Sequence, residues 1–533
     1  MTRNCLTLII ASLFVGSQLS AAAPTLTSVY PPGIQQGTTS TVKMSGSWTS
    51  WPVKIDGEFP EGLTVKTHED AGVLEVTVAV NLPSGPYYFR IYDAEGASPL
   101  IPIIVGAVNE IQEEEPNAKP GEWKTIELPT VVNGQLKESG DVDIFGMNLK
   151  AGEKVTLMVT ANNILGSPMD GILQVADERG FVVAQNDDER NIDPQLSFIA
   201  AKDGVYQVRL FAFPTTPNSS IGFSAAATYI YRITASKDKF LDYCLPLVKS
   251  AEMTTVKPMG IGFSDEQLDV GVALNGHLSV VGIPGSVAIN DFDGAVAVLT
   301  AKNAEAAVTE VSVPVSLSGV LKTKAEEHMV LLKNQTKDSS LFIKAYARTI
   351  GFPTDPIIQI KDAAGVVLFT QDDLSRTERD PEFSYKIPAD GDYQLTIRDL
   401  HRQGGERYAY RVDVQPTTAA VKMSVDRGEL LKKNENLLIP LTVERTGGFN
   451  KEMLVEVKGL PEGMTAIAAK SEASGDSAKK VQVVLKGEPQ KFSGPVTIVG
   501  SYEGGSIEAH YLVKNSALTR NRFWLTVLPA AAE

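Results

Sequence analysis

A long internal repeat limits what this chain can fold into. Sliding the sequence by 185 residues lays Gly134 on Gly319, Asp170 on Asp355, Gly180 on Gly365, and Asp187-Asp188 on Asp372-Asp373. With two more residues inserted, Asp203-Gly204-Val205-Tyr206 falls on Asp390-Gly391-Asp392-Tyr393. Solenoid units run to about 20–50 residues, so a repeat of more than 100 is a duplicated domain. At about 100–200 residues per domain, a 533-residue chain holds three to five units, each with its own core.

The local pattern is that of strands. In residues 24–108, Leu74, Val76, Val78 and Val80 are expected on one face, with Glu75, Thr77 and Ala79 on the other. Turns at Pro31-Pro32-Gly33, Pro60-Glu61-Gly62 and Pro83-Ser84-Gly85-Pro86 suit a small antiparallel sandwich. Later strands alternate in the same way at Tyr393, Leu395 and Ile397 and at Val481, Val483 and Leu485. No amphipathic helix longer than two turns is evident, and the expected fold is all-β, a tandem array of about five antiparallel β-sandwich domains.

The first 22 residues read as a signal peptide, with Arg3, an apolar stretch from Leu6 to Val15, and Ser20-Ala21-Ala22-Ala23 as the cleavage site. No later segment approaches the roughly 18 apolar residues of a spanning helix. The expectation is a chain with no membrane span, secreted, in the periplasm or outside the cell, and monomeric. Cys5 lies within the signal, so Cys244 stands alone and reads as a small buried hydrophobe rather than a reactive thiol. With a net charge of -15 and no basic stripe, the chain is a poor partner for nucleic acid or an anionic membrane. Extracellular polysaccharide or protein remain as partners.

Three resemblances assign the units. SVYPPGIQQGTTSTVKMSG and SGPYYFRIYD, in residues 24–108, resemble the IPT/TIG immunoglobulin-like family. GDVDIFGMNLKAGEKVTLMV, LQVADERGFVVAQNDD and DGVYQVRLF, in residues 109–235, resemble the bacterial pre-peptidase C-terminal (PPC) domain, a β-sandwich of secreted proteins. Residues 309–416 form the second PPC-like copy, with DPIIQIKDAAGVVLFTQDD and ADGDYQLTIRD, but KAEEHMVLL replaces GDVDIFGMN and no EPN precedes it. Between the copies, residues 236–308 read as a divergent relative of the first sandwich: Pro32, Thr41, Val42, Lys43 and Gly46 recur as Pro246, Thr255, Val256, Lys257 and Gly260. Residues 417–533 carry GLPEGM and resemble secreted immunoglobulin-like modules with a GLPxG turn.

The candidate chemistry lies at the start of the first copy. Glu113, Glu115 and Asn117 are spaced by two and project from one side of an extended segment, as do Asp141 and Asp143 in the following strand. Such oxygens suit Ca2+. The calcium-binding members of the PPC family have an acidic EPN linker and a D-x-D-like strand, and that resemblance makes Glu113, Glu115, Asn117, Asp141 and Asp143 the ligands of a structural Ca2+. This chain departs by a shorter spacing between the two aspartates and by Ala118 after Asn117. The competing reading is a solvated acidic linker. In the second copy Lys324, Ala325 and His328 surround Glu326 and Glu327, so metal chemistry is not expected there.

Other features read as structural. The Asn186-Asp187-Asp188 and Gln371-Asp372-Asp373 turns cap local backbone donors, and Trp48 and Trp51 are rim-of-core residues rather than a sugar platform. The histidines at 68, 277, 328, 401 and 510 are dispersed, and HExxH, GxSxG and a phosphate loop are all missing. No enzyme is expected, but a secreted protein of extracellular binding, adhesion or spacing. The alternative is an accessory or remnant chain of a secreted peptidase or other hydrolase.

Overall fold

The computed structural model describes residues 22–119, 122–215, 222–272, 276–301, 308–433, 435–487, 491–514, 516 and 518–528. The signal-peptide reading rests on residues 1–22, of which 1–21 lie outside the described residues. The described chain is all-β, a series of two-sheet sandwiches in which the only helical pieces are three-residue 3-10 turns. Among the described residues, no helix is long and apolar enough to cross a membrane.

The first unit packs the sheet of Thr25–Tyr30, Thr39–Ser47, Val73–Val78 and Leu63–Thr67 against one containing Gly33–Gln35, Ile101–Gly106, Gly85–Asp93 and Lys54–Gly57. Leu74, Val76 and Val78 are buried as their alternation requires, but Val80 is 68% exposed because the strand ends at Val78.

The first repeat pairs the order Glu110–Gln112, Thr130–Gln135, Ile230–Ser236, Lys154–Thr160, Gln195–Ile199 with Asp143–Leu149, Gly204–Pro214, Met169–Ala176, Val182–Asn186. The second repeat reproduces this order and adds one edge strand: Ala295–Leu299, Val315–Val320, Ala409–Pro416, Ser340–Tyr346, Glu382–Lys386, against Thr309–Val311, Glu327–Gln335, Gly391–Asp399, Pro356–Lys361, Val367–Gln371. Thr309–Val311 runs parallel to Glu327–Gln335, where the first repeat has only a single bridge from Thr125 to Gly146. Ala295–Leu299 runs parallel to Val315–Gly319, as Glu110–Gln112 does to Val131–Asn133. The second repeat therefore starts ahead of residue 309, and the strand at 295 belongs to it rather than to the preceding sandwich. Sequence alternation could not show this, because the strand's partner lies beyond a loop.

The middle unit repeats the opening of the first. Thr25–Tyr30 and Phe240–Leu245 are both bulged, between Leu26 and Ser28 and between Leu241 and Tyr243, and they face Gly46 and Gly260. Both glycines have positive φ, and a Cβ on either would run into the carbonyl of Thr25 or Phe240. In the last unit Val481, Val483 and Leu485 are buried, as their alternation requires.

The units do not form an open string. Arg90 of the first meets Glu429 (3.3 Å) and the Tyr511 hydroxyl (3.0 Å) of the last, and Tyr92 packs on Trp524 with centroids 4.6 Å apart. Asp242 of the middle unit holds Arg190 of the first repeat and Arg407 of the second. A cavity of about 760 Å³ lies among the units, lined by Asp56, Met158, His277, Ile350 and Tyr511, one from each.

Candidate metal centre

Two sheets of the first repeat deliver the acidic residues. Glu113 follows the strand Glu110–Gln112, and its N–H donates to the Asn133 carbonyl (2.9 Å), so the lead-in is held as an edge as far as the first carboxylate. Asp143 opens Asp143–Leu149 in the facing sheet. Tyr231 reaches both from Ile230–Ser236, directly opposite Gly134. A Cβ at Gly134 would run into the Tyr231 ring and Glu113 Oε2, so the glycine creates the space in which they meet.

Glu113, Glu115 and Asp143 each present an oxygen, all within 4.8 Å of one another. Glu113 and Asp143 are buried, and Glu115 is exposed. The Tyr231 hydroxyl stands 2.6 Å from Asp143 Oδ2 and 3.1 Å from Glu113 Oε2, and its one proton can serve only one of them at a time. Glu113 also accepts the Gln135 N–H (3.0 Å) and meets the Lys137 ammonium (3.1 Å). Asp143 Oδ1 has no partner, and neither polar atom of the buried Asn117 amide has one. Burial, and then the charge of Glu113, push the Asp143 carboxyl up to about 9. Burial raises Glu115, and Asp141 and Glu113 add to it. Acids crowded in this way favour a bound cation.

Of the five expected residues, Glu113, Glu115 and Asp143 converge, and Asn117 lies beside Asp143. Asp141 stands at the margin: its Oδ2 accepts the Lys137 backbone N–H (2.8 Å), while its charge acts on Glu115 and Asp143. Three carboxylates and an amide are hard oxygen donors that fit Ca2+, which takes about six to eight oxygens at about 2.3–2.6 Å. They do not fit a zinc centre, which favours Cys and His. The sequence reading missed Tyr231 and Lys137. The signal for Tyr231 was there: Tyr229-Ile230-Tyr231-Arg232 recurs as Tyr408-Ala409-Tyr410-Arg411, though at a spacing of 179 rather than 185.

The second repeat is an internal comparison. Leu299, paired with Gly319, stands where Glu113 adjoins Gly134. His328, opposite Ile397, stands where Asp143 faces Leu210. Its Nδ1 lies 2.7 Å from the Tyr410 hydroxyl and its Nε2 2.9 Å from Glu326. Two carboxylates have given way to a leucine and an imidazole with both nitrogens engaged.

The remaining features take structural places. Asn186 Oδ1 caps the N–H groups of Glu189 (3.2 Å) and Gln195 (3.1 Å). Trp48 and Trp51, 5.8 Å apart, pack on the first core, and the Trp51 indole donates to the His68 carbonyl (2.9 Å). Cys244 is buried, and burial pushes its thiol up to about 12.

No protein-family model matches the chain. A stretch of 113 residues is 31% identical to part of a probable subtilase-type serine protease of Deinococcus radiodurans, covering 20% of this chain and 15% of that protein's length. Among solved structures, the chain is similar to the pre-peptidase C-terminal domain of a Bacillus anthracis collagenase. Identity there is 16% over 22% of this chain and 100% of that one, with a TM-score of 0.17. It is also similar to SGBP-B of Bacteroides ovatus, solved with a mixed-linkage heptasaccharide: 14% identity over 51% and 53%, with a TM-score of 0.17. The class that the fold defines is a multi-sandwich all-β protein with a duplicated unit.

Proposed function

We propose that the chain is a secreted, non-catalytic protein of extracellular binding, adhesion or spacing, whose first repeat is a PPC-like domain with a structural Ca2+ site. The observation that carries the calcium reading is the convergence of Glu113, Glu115 and Asp143 within 4.8 Å beside the unpartnered Asp143 Oδ1 and Asn117 amide. Ca2+ bound there neutralises the carboxylates and ties the lead-in to the facing sheet. It supplies charge and cross-linking, not turnover. Its partners are extracellular polysaccharide or protein.

The test is calcium added to the EDTA-treated chain. Stability rises by RT ln(1 + [L]/Kd), about 2.7 kcal/mol when calcium stands at 100 times Kd, and amide-exchange protection appears at Glu110–Gln112 and Asp143–Leu149. No shift, or protection confined to other strands, overturns the calcium site. The second reading, an accessory or remnant of a secreted hydrolase, draws on the 31% identity to the probable subtilase-type protease. Turnover of casein or a polysaccharide that one point substitution abolishes would favour it.

A further inference from the structure

Each repeat ends one sheet in a strand that is paired on one side among the described residues. Val182–Asn186 pairs with Met169–Ala176, and Val367–Gln371 with Pro356–Lys361; both are terminal in their sheets. An edge of this kind presents a row of free N–H and C=O groups, which folded proteins normally blunt with charge, proline or a cover. Here each edge carries only a β-bulge near its start, and the residues around it are apolar and bare. Phe181, Val182 and Val183 are 67%, 47% and 51% exposed, and Val366, Val367 and Leu368 are 58%, 48% and 41% exposed. Phe181 and Val366 lie in the turn just ahead of each strand. The extra residue of a β-bulge, Val183 opposite Val175–Ala176 and Leu368 opposite Ile360–Lys361, breaks the alternation, so three successive apolar residues are bare at the start of each edge.

These triads are related by the 185-residue repeat. The copies have diverged elsewhere, with Asp143 against His328 and Glu113 against Leu299, yet all three positions stay apolar and exposed. The acidic surroundings are shared too: Asp177 precedes the first strand and Asp187-Asp188 follow it, while Asp362 precedes the second and Asp372-Asp373 follow it. In the first repeat Asp187 and Asp188 act on Asp170, raising its pKa behind the effect of burial. In the second Asp373 is paired with Arg379 (3.1 Å).

We propose that these two edges are docking sites for extended segments of a partner protein, apolar at the centre and flanked by Lys or Arg, added as an extra strand. A free ladder edge calls for a peptide backbone, which neither a glycan nor a lipid supplies. The acidic ends call for cationic flanks. A net charge of -15 disfavours a second copy of this chain. Each edge is small, so single contacts are weak and a partner with two such segments gains by avidity. The first edge, with fewer of its acids neutralised by neighbours, binds the more tightly. The proposal deepens the binding reading but is independent of the calcium centre, and loss of the calcium response leaves it standing.

The test titrates the full chain with the peptide Lys-Lys-Val-Thr-Val-Thr-Val-Lys-Lys by calorimetry and amide hydrogen exchange. Expected are two peptides per chain, slowed exchange at Val182–Asn186 and Val367–Gln371, and binding weakened by salt. Val182→Lys removes one site and Val182→Lys with Val367→Lys removes both. Both positions are solvent-facing, so the fold is kept. A peptide N-methylated at alternate residues, which needs no variant, binds at least tenfold more weakly, and so does a Glu-flanked one. Equal binding of the N-methylated peptide, or two sites persisting in the double variant, overturns the proposal. So does self-association of the wild-type chain that the double variant abolishes, because the occupant is then a second copy.

Discussion

Asp143 and His328 hold one register position in two copies of one fold, and each meets a tyrosine hydroxyl, at 2.6 Å from Tyr231 and 2.7 Å from Tyr410. What differs is the second contact: Asp143 Oδ1 is unpartnered, whereas His328 Nε2 meets Glu326 at 2.9 Å. Asp143→His should therefore fold, since the second copy already accommodates the imidazole, yet lose the calcium-induced rise in Tm. A rise equal to that of the wild type would remove Asp143 from the ligand set. The second copy carries its own pH dependence. Burial holds the His328 pKa below its ordinary value despite the opposing pull of Glu326. The unfolded imidazole takes its proton at about 6.5 and the folded one only at lower pH, so the unfolded state binds more protons in that window. Stability of the second repeat is then full above about 6.5 and declines as pH falls through the folded value. Glu326, held below its ordinary value by His328 and Thr323 against the effect of burial, contributes stability that is lost only at more acidic pH, so the two windows separate. Exchange at Glu327–Gln335 measured at pH 7.5 and 5.5 reads this directly. His328→Asn should flatten the difference, and an unchanged difference would assign it elsewhere.

At the scale of the element, Gly134 and Gly319 show why the strand leading into each repeat has its sequence. A Cβ at Gly319 would lie 2.6 Å from the Tyr410 hydroxyl and 2.7 Å from His328 Nδ1, and one at Gly134 would meet Tyr231 and Glu113. Gly134→Ala forces the tyrosine off its carboxylates, and overpacking of this kind costs about 1–3 kcal/mol. A lowered urea midpoint together with a weakened calcium response is expected, and a variant with wild-type values for both would refute the packing account. The same element marks the limit of what sequence conveys. The glycines and the spaced carboxylates were legible because each acts through its own turn or strand, where spacing alone sets direction. The recurring motif could single out Tyr231 but not its contact with Asp143, which lies 88 residues away and meets it only when the sheets close. The start of the second repeat was missed for a related reason: Ala295–Leu299 belongs to it by pairing with Val315–Gly319, and no local pattern reports a ladder partner. Val80 extends a good alternation past the point where the ladder stops.

For the molecule as a whole, the question is whether five sandwiches behave as beads or as one body, and Arg90 decides it. Its side chain is 3% exposed, lies 3.6 Å from Asp56 and 3.3 Å from Glu429, and sits 5.5 Å from the Trp524 ring centroid. Glu429 is held above its ordinary pKa chiefly by burial, with Arg90 opposing the rise. An arginine so placed holds the first unit to the last, and deleting one partner of a buried pair costs about 3–5 kcal/mol because the other charge is left uncompensated. Arg90→Met keeps most of the volume and removes the charge, and the first and last units each retain their own core. The expected outcome is that the unit cores stay folded while the ends separate, with the radius of gyration from small-angle scattering rising by several ångströms as the central cavity opens. Arg90 is buried and Glu429 is 29% exposed, so screening reaches the pair only in part, and about 0.5 M salt should expand the wild type much less than Arg90→Met does. A wild type that expands in salt as far as the variant does would mean that exposed pairs such as Arg522 with Asp56 (2.9 Å) hold the ends together instead, and an Arg90→Met chain of unchanged radius would mean that the Tyr92–Trp524 contact alone suffices.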